Sequence, residues 1–144
     1  MSKALYHIEQ VSNCILVTLR GEWSESTNIQ YLAALSEYLK RRRGRPFILL
    51  VDMRTWQIPK SETFNQIKAP FKLDRRNQLY EIWLECEGTD ADHVAEKMRL
   101  EAKTPLERTH SVSQFLASCA DKTDNKALAH ITAWVENESV DKQN

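Results

Sequence analysis

The spacing of apolar and polar residues in this 144-residue chain changes period several times, and each change marks an element. Positions 6–12 alternate weakly. After the polar pair Ser12-Asn13 a clearer strand covers 14–21, with Ile15, Val17 and Leu19 on one side and Leu16, Thr18 and Arg20 on the other. A short polar turn between two strands predicts an antiparallel hairpin. Ser24 and Ser26 with Glu25 then suit a helix start, and Ile29, Leu32, Ala33, Ser36 and Leu39 fall at helical spacing. Lys40, Arg41, Arg42 and Arg43 occupy the last turn, where cations complement the carbonyl end, and Gly44 can supply a left-handed cap.

Past Pro46 a buried strand is predicted over 47–53, followed by a polar loop, 54–60, that carries Trp56. Ser61 suits an N-cap, with Phe64, Ile67 and Phe71 one or two turns on; Pro70 should kink or end this helix. Positions 79–86 alternate as a strand, Tyr80, Ile82 and Leu84 against Glu81, Trp83 and Glu85. Gly88-Thr89-Asp90 opens a helix with Ala91, Val94, Ala95, Met98 and Ala102 on one face, and Thr104-Pro105 closes it. A short edge strand over 108–112, a short helix over 115–119 and a last helix over 124–135 complete the pattern.

Helices between the second, third and fourth strands favour right-handed parallel crossovers. The expected fold is α/β: a mixed four- to five-stranded sheet, antiparallel first strand and parallel βαβ remainder, with helices packed mainly on one face. Residues 1–136 form one domain in this reading, and 137–144 a frayed tail. Were one sheet face open, Leu16, Ile48, Leu50 and Trp83 would form an apolar patch suited to an interface; the C-terminal helices could instead cover it.

Composition narrows the function classes. An apolar fraction of 42% and a charged fraction of 28% are those of a globular domain. The longest apolar run, 47–51, is too short to cross a bilayer, and the N-terminal residues lack a signal core, so a cytoplasmic location is expected. Cys14, Cys86 and Cys119 are widely spaced and form no CxxC pair. Net charge is zero but unevenly spread: positions 40–76 hold 11 Lys or Arg and 3 Asp or Glu, and the rest hold 9 and 17.

The order of elements, with a central strand carrying Asp52 and a helix opening at Ser61, resembles the STAS domain, SpoIIAA-like, of anti-sigma-factor antagonists. In that family a partner kinase phosphorylates a serine of an Asp-Ser-Ser-Gly-type motif at this point, and the loop docks on the anti-sigma factor. Here the stretch reads Lys60-Ser61-Glu62-Thr63, so the motif's aspartate, second serine and glycine are replaced. The resemblance therefore implies a divergent member without the phospho-switch, Glu62 standing at the phosphorylated position. Its pattern covers 6–86 and resumes with the last helix. SpoIIAA-like relatives are also similar to Sec14-type lipid carriers.

Each candidate residue has a plainer alternative. Ser61 is a phospho-acceptor or simply an N-cap. Trp23 and Trp56 follow neighbouring parallel strands and should meet at the carboxyl edge, where open α/β sheets bind ligands; beside Glu22, Arg54 and Glu87 they line a partner groove or merely cover the core's rim. Lys40, Arg41, Arg42, Arg43 and Arg45 form a basic patch for an anionic surface, or satisfy a helix dipole. No catalytic residue, metal ligand or cofactor is expected, and nucleic acid is not an expected partner.

The favoured reading is a bacterial, non-catalytic regulatory module with a protein partner bound through Trp23, Arg54, Trp56, Ser61 and Glu62. A homodimer through the sheet face is compatible with it. The alternative is a carrier or sensor of a small apolar, lipid-like ligand in a pocket of Phe64, Ile67 and Phe71.

Overall fold

The computed structural model describes residues 4–58, 73–101 and 104–141. The chain is α/β. Strands β1 (Tyr6–Val11), β2 (Cys14–Glu22), β3 (Phe47–Gln57), β4 (Gln78–Leu84) and β5 (Leu106–Thr109) form one sheet in chain order. The first pair is antiparallel and the other three pairs are parallel. The described helices are α1 (Glu25–Arg41), α2 (Asp92–Glu101), α3 (Val112–Lys122) and α4 (Asn125–Asp141). The helix expected from Ser61 lies outside the described residues.

Local chemistry explains the ends of these elements. Ser24 caps α1 by accepting from Thr27 N–H at 3.1 Å, and Ser111 caps α3 by accepting from Gln114 N–H at 3.1 Å. That cap starts α3 three residues before the expected helix at 115. Gly44, at φ +79°, closes the turn after α1. Gly21, at φ +66°, leaves β2 where a Cβ would meet Leu5 Cδ2 at 3.0 Å, so both backbone and space favour glycine there.

The odd positions of β2 and β3 build one core. Ile15, Val17, Leu19, Leu49, Val51 and Met53 join Trp83 of β4, and Leu35 and Leu39 of α1 and Met98 of α2 cover them. The even positions build a second core, with Cys14, Leu16, Ile48, Leu50, Ile82 and Leu84 under Phe115 of α3 and Ile131, Trp134 and Val135 of α4. Both faces are thus covered, two described helices to each, which corrects the expectation that helices lie mainly on one face. It is also why the first six residues of β2 and the first seven of β3 are all buried.

Three further expectations change. Trp83 does not share a face with Leu50, because β3 and β4 pair Leu50 with Ile82 and Val51 with Trp83. Leu16, Ile48 and Leu50 are covered by α3 and α4, so this face is closed to a second copy. The chain past 137 is not frayed at once: α4 runs on to Asp141, and Glu138, 7% exposed, holds Arg20.

Bulges set what the two ends of the sheet present. Between β3 and β4 the register slips at Leu79, which is 45% exposed. Between β2 and β3, Thr18 pairs with Asp52 but Arg20 pairs with Thr55, so β3 carries one extra residue. Pairing then continues to Glu22 and Gln57, and Arg54 and Trp56 stand on a strand where a loop was expected.

Candidate functional site

The β3 bulge reverses the alternation of side chains, so that Trp56, an even position, joins the odd-position core. There it meets Trp23 with ring centroids 5.1 Å apart and planes at 58°. Tyr31 of α1 lies 5.2 Å from the Trp23 ring, and Tyr6 of β1 lies 6.2 Å from it. Burial and the nearby Glu81 carboxylate raise the Tyr31 pKa, so its hydroxyl stays neutral. Trp23 and Trp56 are thus brought together at the carboxyl edge, each only 7% exposed. That burial matches the rim-covering alternative. Their indole N–H groups differ, however. Trp23 Nε1 donates to Arg20 O at 2.9 Å and Leu5 O at 3.2 Å, whereas Trp56 Nε1 is buried with no partner among the described residues.

Beneath this aromatic corner lies a row of ion pairs. Asp52, 1% exposed, accepts from Arg54 Nε at 2.9 Å and Nη2 at 2.7 Å, and Arg54 Nη2 also donates to Val135 O at 3.0 Å. Arg54 is therefore engaged within the fold. Glu85 at the end of β4 accepts from Arg108 Nε at 2.7 Å and Nη2 at 2.8 Å, and Asp92 stands 2.9 Å from the same guanidinium. These bonds raise the Arg108 pKa above its ordinary value. His110 lies 3.8 Å from Glu85, and Cys86 Sγ donates to Arg54 O at 3.3 Å. Arg20 and Glu138 complete the row.

Around these neutralised pairs the exposed charges are acidic. Glu22, Glu25, Glu87, Asp90 and Asp92 all face solvent at or next to the ends of the elements that meet here. Glu22 and Glu87 were expected at this edge. The Glu85–Arg108 and Arg20–Glu138 pairs were not, because they join segments whose approach no local pattern announces.

Ser61, Glu62, Phe64, Ile67 and Phe71 lie outside the described residues. The basic patch stands at the opposite end of the sheet, where α1 finishes. Lys40, Arg41, Arg43 and Arg45 are exposed there, but Arg42 is 8% exposed and donates from Nη2 to Pro46 O at 2.7 Å. Burial and the adjacent Arg45 lower its pKa from the usual guanidinium value, and its Nε has no partner among the described residues.

The buried thiols are not nucleophiles at neutral pH. Burial and Asp124 push Cys14 up to about 11, and burial and the neighbouring Cys14 push Cys119 up to about 12. Among the described residues, no group of three or more His, Cys, Asp or Glu is placed to hold a metal ion. None of the described helices is long and apolar enough to cross a membrane. No protein-family model and no curated protein matches this chain.

Proposed function

We propose that this chain is a non-catalytic regulatory module of the cytoplasm, similar to divergent SpoIIAA-like STAS domains, that captures a protein partner at the carboxyl edge of its sheet. The observation that carries the reading is the buried Trp56 N–H at that edge, which has no partner among the described residues. A buried donor left unsatisfied is costly, by about 1–3 kcal/mol, and a partner that opens the rim and offers a carbonyl relieves it. The order of elements supports the family resemblance. The carboxylates of the edge support a binding role over acid–base work, since Asp52 and Glu85 are each held by two arginine bonds. Replacement of the motif positions by Lys60, Glu62 and Thr63 speaks for a partner bound without a phosphorylation switch.

A second reading, a carrier of a small apolar ligand, draws on Ile58 and Leu73. They pack only partly buried against the same core, on either side of the stretch that carries Phe64, Ile67 and Phe71. The same N–H would then meet the ligand's polar atom.

The test is capture from the native host with the full chain and with Trp56→Phe, which keeps a ring and removes the donor. Under the first reading, a stoichiometric protein recovered with the wild type is recovered several-fold less with the variant. Equal recovery removes the role of the N–H. A small-molecule adduct in the native mass spectrum, with no protein partner, selects the carrier reading.

A further inference from the structure

The parallel topology sorts charge along the strand axis. Helix α1 starts beside the carboxyl ends of the strands at Glu25 and finishes at their amino ends with Lys40 and Arg41, and the turn into β4 adds Arg76 to that second end, Arg75 being held by the buried Glu81. Arg43 and Arg76 are 65% and 72% exposed there, and Asp74 is the acid that both approach. At the carboxyl end the arginines are consumed: Arg20, Arg54 and Arg108 are each paired with a buried carboxylate. The acids that remain exposed, Glu22, Glu25, Glu87 and Asp90, have no cation against them among the described residues. Among the described residues the exposed charges thus form two edges of opposite sign, on a molecule with net charge +0.

We propose that the chain associates head to tail with a second copy of itself, the basic amino edge of one molecule seating on the acidic carboxyl edge of the next. Three features favour a second copy as the occupant. The two edges are complementary in sign, and zero net charge leaves no overall repulsion between copies. The basic edge is also rich in arginine, whose planar fork pairs with carboxylates two bonds at a time. The contact joins unlike surfaces, so it extends in an open chain or closes as a ring, unlike a two-fold dimer. It covers the carboxyl edge and therefore competes with any other occupant of that edge.

Sedimentation velocity of the full chain tests this. At about 0.02 M salt, where screening is weak, the sedimentation coefficient should rise with protein concentration; at about 0.5 M it should fall to the monomer value. The pair Arg43→Glu with Arg76→Glu offsets the positive charge of the amino edge, and the pair Glu22→Arg with Glu87→Arg offsets the negative charge of the carboxyl edge. Each variant, folded by circular dichroism, should sediment as a monomer alone, and an equimolar mixture should associate again. A wild type that stays monomeric at low salt overturns the proposal. So does association that survives high salt or either reversal, or a mixture of folded variants that stays monomeric.

Discussion

Arg20 and Glu138 lie 118 positions apart in sequence and meet through two parallel bonds, Nε to Oε2 at 2.8 Å and Nη2 to Oε1 at 2.9 Å. The pair fastens the end of α4 to the end of β2. Its carboxylate is 7% exposed and its guanidinium 18%, so the bonds are shielded from competing water. Glu138→Ala should lower stability by about 1.5–3 kcal/mol, the range for hydrogen bonds to charged groups. Urea unfolding measures the loss, and amide exchange should show it first in the last turns of α4.

The two tryptophans of the carboxyl edge should respond unequally to the same change. Trp23→Phe loses ring volume and two indole hydrogen bonds, to the carbonyls of Arg20 and of Leu5, the second of which keeps Arg20 N–H as a donor. Trp56→Phe loses similar volume but also removes a donor that has no acceptor among the described residues. The first should therefore be more destabilising than the second by about 1–2 kcal/mol. Thermal unfolding of both variants decides it, and equal losses would mean that Trp56 finds an acceptor in solution.

Asp52 and Arg54 are almost wholly removed from water, at 1% and 7% side-chain exposure. Asp52→Ala strands the Arg54 charge and should cost about 3–5 kcal/mol. The double change Asp52→Leu with Arg54→Leu should recover part of that loss, because no charge is left buried. A double-mutant cycle in denaturant gives the coupling, and additive losses would show that the two groups act separately.

The buried cysteines predict an alkaline limit. In the folded chain Cys14 and Cys119 hold their protons up to about 11 and about 12, against 9.0 in the unfolded chain. Their contribution is complete below the unfolded value. It falls as pH rises above 9.0, where only the unfolded state ionises, and is lost through the folded values. Unfolding midpoints should drop across that window, and less so in Cys14→Ala than in the wild type. A thiol reagent at neutral pH should label the half-buried Cys86 ahead of the other two.

Much of the fold was legible because its signals are local. The alternation of 14–21, the Ser24 cap and the cations closing α1 each act within a few residues, and the structure places elements where they point. The carboxyl-edge meeting of Trp23 and Trp56 was legible too, because parallel pairing aligns the ends of neighbouring strands. The bulge in β3 was not. Arg54, Thr55 and Gln57 read as a polar loop, since nothing in their order tells a strand that has left the core from one that has ended. The double covering of the sheet was equally hidden. Apolar residues at both odd and even positions of β3 are compatible with a covered second face or with an interface, and only the placement of α3 and α4 chooses between them. Glu138 was read as tail because the residue that holds it is near the other end of the chain.

The division of the core into two faces carries a consequence for biosynthesis. The strands leave the ribosome in their order across the sheet, and α1 arrives between β2 and β3 to shelter the first face early. The described helices that cover the second face come last, within residues 112–141. A nascent chain that has already assembled β2, β3 and β4 still shows Leu16, Ile48, Leu50 and Ile82 to solvent until α3 and α4 emerge. A stalled or prematurely terminated chain would keep that surface bare, a natural client for chaperones and an early target for proteases.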